Sequence, residues 1–221
     1  MLSEPRRTPQ SLYLLTQMTL TKNISIMATE VAEHIVADAV IQGIYWDNEN
    51  QRGCFIGCLG HSSDPVIAVK RFGLTEPLLR IAERIFEGLP ADEARGFFAA
   101  FPDAIGCDGR DLSFVHWHFL AAELRSLPPV PAVVQAVIDP VIIGMDLLAS
   151  GQKWPAARAA EASKAAARAA AEAWTAARAA EAAARAAAWA AAGAARLNVR
   201  RRQRDLLLTL IRQAPVVEVQ S

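Results

Sequence analysis

Residues 156–195 read AARAAEASKAAARAAAEAWTAARAAEAAARAAAWAAAGAA. Alanine has the highest intrinsic helix propensity, better than ordinary residues by up to ~0.7 kcal/mol each, so this tract is expected to be helical in almost any context. As one helix it would be roughly 60 Å long. The departures from alanine carry the pattern. Arg158, Glu161, Lys164, Arg168, Glu172, Thr175, Arg178, Glu181, Arg185, Trp189 and Gly193 follow one another by three or four residues, drawing one narrow stripe on a helix otherwise covered in methyl groups. Oppositely charged neighbours in the stripe, such as Arg168 with Glu172, contribute only ~0.2–0.5 kcal/mol per pair. Methyl groups bury little area, so packing them requires close backbone approach. Either the tract runs along the preceding helices, as one helix or as a hairpin folded near Trp174 or Gly193, or it pairs with a second chain as a homodimer.

Upstream of the tract the punctuation is also helical. Thr29 reads as an N-cap, with Val31, Ile35, Ala39 and Val40 at helical spacing up to Gly43. Asp64-Pro65 opens a helix that Gly73 closes, and Thr75 caps another that stops at Gly88 and Pro90. Residues 91–101 and 111–125 form two more, the second entered through Asp111 or Ser113. Pro131 starts a further apolar helix, kinked or split by Pro140 and closed at Gly151. Its prolines, Asp139 and Asp146 point to a buried helix over a membrane-spanning one. Downstream, Leu206, Leu207, Leu210 and Ile211 form a core-facing edge before Pro215. Alternating strand patterns are scarce. The reading is all-α: a flexible arm at 1–27, a multi-helix domain at 28–152, an alanine-rich helical region at 153–213 and a tail at 214–221.

The chain has 221 residues, with 23 basic and 23 acidic side chains, so no net field draws it towards nucleic acid or an anionic membrane. Three cysteines without a disulfide framework and no clear signal peptide point to the cytoplasm. The arginines Arg196, Arg200, Arg201, Arg202 and Arg204 would be the contacts of a nucleic-acid adaptor, or simply a solvated helix face. Cys54, Cys58 and His61 are of the right types for zinc or for a cysteine nucleophile, with Cys107, His116 and His118 as further donors. Their spacing matches no zinc finger or ribbon, and tight backbone packing explains the small residues as well. Phosphate-binding and dinucleotide-binding loops, HExxH and GxSxG do not occur, and no cofactor is expected.

The blocks GIYWDNENQRGCFIGCLGH, FGLTEPLLRIAERIFEGLP and DAIGCDGRDLSFVHWHFL, followed by the alanine tract and RDLLLTLI, resemble small bacterial and bacteriophage Imm-5-like immunity proteins over residues 28–212. The resemblance implies a non-enzymatic protein that occludes a toxin or a host defence enzyme, with no membrane and no cofactor. The residues read as partner contacts are Trp174, Trp189, Arg168, Arg178 and Arg185 in the stripe, or the 54–61 loop. Competing readings are a Cys/His enzyme or zinc protein, and a nucleic-acid adaptor.

Overall fold

The computed structural model describes residues 19–167 and the backbone of 185–217, with side chains in that last segment from residue 195. Among the described residues the fold is all-α apart from one minimal hairpin. In order it forms α1 (Ile24–Val36), β1 (Trp46–Asp47), β2 (Arg52–Gly53), α2 (Phe55–Gly60), α3 (Pro65–Phe72), α4 (Glu76–Glu87), α5 (Ala91–Ile105), α6 (Val115–Arg125) and α7 (Ala132–Ala149). A helical run follows at 156–167, and the long α8 (Arg185–Gln213) ends the helical part.

Local signals place most boundaries. The Asp64 carboxylate accepts from Val66 N–H at 2.9 Å with Pro65 in the first turn, and Gly73 ends α3 at φ +64°. Thr75 caps α4, which Gly88 terminates. Three boundaries differ from the sequence reading. α1 begins at Ile24 behind Asn23, so Thr29 lies inside it with its hydroxyl donating to Ser25 C=O, and the helix ends at Val36. α5 runs on to Ile105 through Pro102, and α6 is entered at Phe114, one turn after Asp111 accepts from Ser113 N–H. The 1–27 arm overlaps ordered structure, because Leu20 bridges Asp111 and Met27 is fully buried in α1.

The core is dominated by phenylalanine. Phe55 in α2 packs against Phe86, Phe97, Phe98 and Phe101, with ring centroids 5.0–6.0 Å apart. Leu207, Leu208 and Ile211 of α8 lie in the same cluster, so the core crosses the boundary drawn at 152/153. Both ends of the described chain meet on one loop. Thr21 N–H donates to Arg110 C=O, Asp111 N–H to Pro215 C=O and Val217 N–H to Gly109 C=O.

α7 departs from expectation in two respects. Pro140 does not split it, and it is not a buried helix. Only Gly144 and Ala149 are buried, whereas Val133 is 71% and Ile143 57% exposed. Proline costs one backbone hydrogen bond, which a helix packed against α6 can sustain. By length and composition α7 could cross a membrane. Among the described residues α6 covers one side of α7 and the 156–167 run faces it with Arg158, Glu161 and alanines, which leaves Val133 and Ile143 in water.

Candidate functional site

Two regions concentrate features that the core alone does not require. The first surrounds residues 54–61. The turn before β2 is held by Asp47, whose carboxylate accepts from the Asn50 side-chain amide at 2.7 Å, from the Asn50 and Glu49 N–H groups and from the Arg52 side chain; the Asn50 amide above all holds it below the usual carboxylate range. β2 then delivers Cys54 to the N-cap of α2. Gly53 and Gly57 are there because the backbone of Tyr45 passes against them: an added Cβ would lie 2.3 and 1.5 Å from the Tyr45 carbonyl oxygen. Cys54 N–H donates to Ile44 C=O at 2.8 Å.

Cys54, Cys58 and His61 do not converge. The Cys58 thiol donates to Gly53 C=O at 3.2 Å, inside the packing. His61 ends α2 in the left-handed conformation at φ +49°, and its ring stands outside, stacked on Trp46, with Nε2 2.9 Å from His34 Nε2. Burial, followed by the His61 charge, holds His34 below the ordinary histidine value. The Cys54 thiol turns instead towards α4 and donates to Glu83 Oε1 at 2.6 Å. Burial pushes both thiols up to about 12, which removes the thiolate a nucleophilic cysteine needs near neutral pH. Cys107 is exposed on the 106–111 loop, while His116 is buried beside Trp117 with no partner at Nδ1, and neither joins this cluster.

The group the fold does assemble is Cys54 with Glu83 and Glu87, each offering one donor atom within 4.8 Å of the others. Glu83 and Glu87 share one face of α4 at i and i+4. Glu87 is oriented by Gly43 N–H, which donates to both of its oxygens. Glu83 is only 8% exposed and its Oε2 accepts no hydrogen bond. Burial, with Glu87 acting in the same direction, raises its carboxyl above the usual range. Sequence reasoning missed this set because 29 residues separate Cys54 from Glu83. The i, i+4 glutamate pair was the only local signal.

Of the five arginines from 196 to 204, Arg201, Arg202 and Arg204 are paired with carboxylates within the molecule. Arg201 and Arg204 pair with Glu93, Arg202 with Glu123, and Arg200 donates to Gln203 at 2.7 Å. The pairs made by Arg201, Arg202 and Arg204 tie α8 to α5 and α6, whereas Arg196 and Arg200 line a cavity with Arg84 and Glu123. Of the stripe residues, Arg168, Trp174 and Arg178 lie outside the described residues, as do the side chains of Arg185 and Trp189, whose backbone belongs to α8.

The second region is the exposed face of α7. Trp154 folds onto Gly144, where a Cβ would come within 2.2 Å of the indole, and this turns the chain back along α7. Between α7 and the 156–167 run lies a groove of about 400 Å³, floored by Val137, Pro140, Ile143 and Leu147 with Arg158 and Glu161 on its far wall.

Comparison of the chain with protein-family models, with curated proteins and with solved structures returns no match.

Proposed function

We propose that this protein acts without catalysis, by binding another macromolecule, and that the partner is an enzyme it occludes: a toxin or a host defence factor. The family and the kind of target come from the resemblance of the sequence blocks to immunity proteins. The observation that carries the binding reading is the α7 face, where Val133 and Ile143 are mostly in water beside an apolar groove. Exposed apolar side chains beside an apolar groove are the kind of surface that interaction sites use. The groove, closed at one end by Trp154 and flanked by Arg158 and Glu161, suits an apolar helix or projecting side chains carrying both charges at their rim. In the cytoplasm of a bacterium, or of a phage host, such a contact would need no cofactor.

The test is native mass spectrometry of the tagged chain recovered from a bacterial host carrying its neighbouring genes. The expected result is a one-to-one complex with a second polypeptide, lost in the double variant Val133→Asp, Ile143→Asp while its melting temperature stays unchanged. A monomer under all conditions, a complex indifferent to the double variant, or flotation with lipid vesicles in place of a protein complex would overturn the reading. A homodimer lost in the same variant would move the assignment to self-association.

A further inference from the structure

We propose that Cys54, Glu83 and Glu87 bind one thiophilic divalent cation, Zn²⁺ by the chemistry of the donors, with the ion held between the start of α2 and the face of α4. Each residue brings one donor atom within 4.8 Å of the other two. Bond lengths of ~2.3 Å to sulfur and ~2.0–2.2 Å to carboxylate oxygen set tetrahedral donors about 3.4–3.6 Å apart, so zinc fits this cluster once the Cys54 sulfur, now 2.6 Å from Glu83 Oε1, gives up that hydrogen bond and moves off by about 1 Å.

The unmet demand of Glu83 is the independent indication. A carboxylate oxygen buried without a hydrogen bond is costly, and Oε2 of this residue, 8% exposed, is one. No basic side chain among the described residues hydrogen-bonds Glu83 or Glu87, and the nearby Arg80 is engaged with Glu76 at 3.2 Å. A cation between the two helices supplies the missing partner and offsets the repulsion of two carboxylates one turn apart.

The donor set selects the ion. A thiolate beside two carboxylates disfavours Mg²⁺ and Ca²⁺, which take oxygen ligands, and suits zinc or cobalt. Binding replaces the thiol proton: the S–H bond of Cys54 breaks, the sulfur pair is donated to the metal and the proton leaves to solvent. Gly43 N–H already holds the Glu87 carboxylate in place, and Glu87 is exposed, which gives the ion its way in. Three protein ligands leave a fourth position for water. Cys58 and His61 are not part of the set, since one thiol faces a backbone carbonyl and the other ring faces His34.

The experiment is titration of the chelator-treated full-length protein with Co²⁺, followed by competition with Zn²⁺. One equivalent of Co²⁺ is expected to bind with a thiolate-to-cobalt charge-transfer band, release of protons and affinity that rises with pH. Cys54→Ser should abolish the band. Glu83→Gln and Glu87→Gln should each weaken Zn²⁺ binding at least about tenfold, since even residues that only orient metal ligands are worth about 10–100-fold. Cys58→Ser and His61→Gln should leave both readouts unchanged. If Cys54→Ser does not fold, Glu87→Gln at an exposed position still decides the matter. No stoichiometric binding, a band that survives Cys54→Ser, or a band lost in Cys58→Ser or His61→Gln would overturn the assignment.

Discussion

Two glycines show how much a single Cβ matters in this fold. Gly57 faces the Tyr45 carbonyl so closely that a methyl group has no room, and the obstacle is backbone on both sides. Gly57→Ala is expected to destabilise by about 3 kcal/mol or more, or to prevent soluble expression. Gly96, inside α5 with nothing near its would-be Cβ, should behave in the opposite way: Gly96→Ala is expected to stabilise by about 0.5–1 kcal/mol. Thermal unfolding of the two variants beside the parent measures both. His116 sets a pH dependence. Burial pushes its imidazole down from the ordinary 6.5 to about 4. The folded state therefore stays neutral where the unfolded chain takes up a proton, so stability falls as pH drops from 6.5 towards 4, by up to about 3 kcal/mol. Denaturant unfolding at pH 7 and pH 4.5 should show this loss, and His116→Gln should reduce it; an equal loss in the variant would remove His116 as its source.

At the scale of elements, the signals that were legible are those confined to one turn. Asp64 before Pro65, Thr75, Gly73 and Gly88 mark the ends of α3 and α4 where the chain places them, because a cap is decided by a side chain and backbone two or three residues apart. Asp64→Ala should cost about 1 kcal/mol through loss of the bond to Val66 N–H. Thr29 looked equally like a cap and is not one, since burial of Ile24 and Met27 extends α1 past it. The last helix carries a larger prediction. Leu207 and Ile211 are fully buried in the phenylalanine core, so truncating either to alanine should cost about 2–5 kcal/mol. Val133→Ala, on the open side of α7, should stay within about 0.5 kcal/mol. Equal effects at the two sites would contradict the burial described for α7 and α8.

Across the whole molecule, the 106–111 loop joins the two ends of the described chain. Arg110 accounts for much of this, its guanidinium donating to the carbonyls of Ile105, Arg212 and Ala214 while its backbone N–H donates to the Thr21 hydroxyl. Arg110→Ala should lower stability by about 2–3 kcal/mol, since it removes three hydrogen bonds from a charged group to backbone carbonyls, which are among the stronger ones. Because the core is shared by α1 to α6 and α8, the loss should appear as one transition, at the same temperature by far-ultraviolet and near-ultraviolet circular dichroism. Two separate transitions would indicate independent units.

The amino-acid sequence by itself determined that the chain is helical and where α3 and α4 begin and end. Those properties follow from propensity, capping and the lack of a Cβ, which act over a few residues. Only the tertiary structure decided that Cys54 meets Glu83 and Glu87 and not Cys58 and His61, that Arg201, Arg202 and Arg204 pair with Glu93 and Glu123, and that Val133 and Ile143 of α7 stay in water. Each of these depends on which distant segment arrives opposite a given side chain. Local periodicity carries no information about that, because the partner is selected by the packing of the whole core.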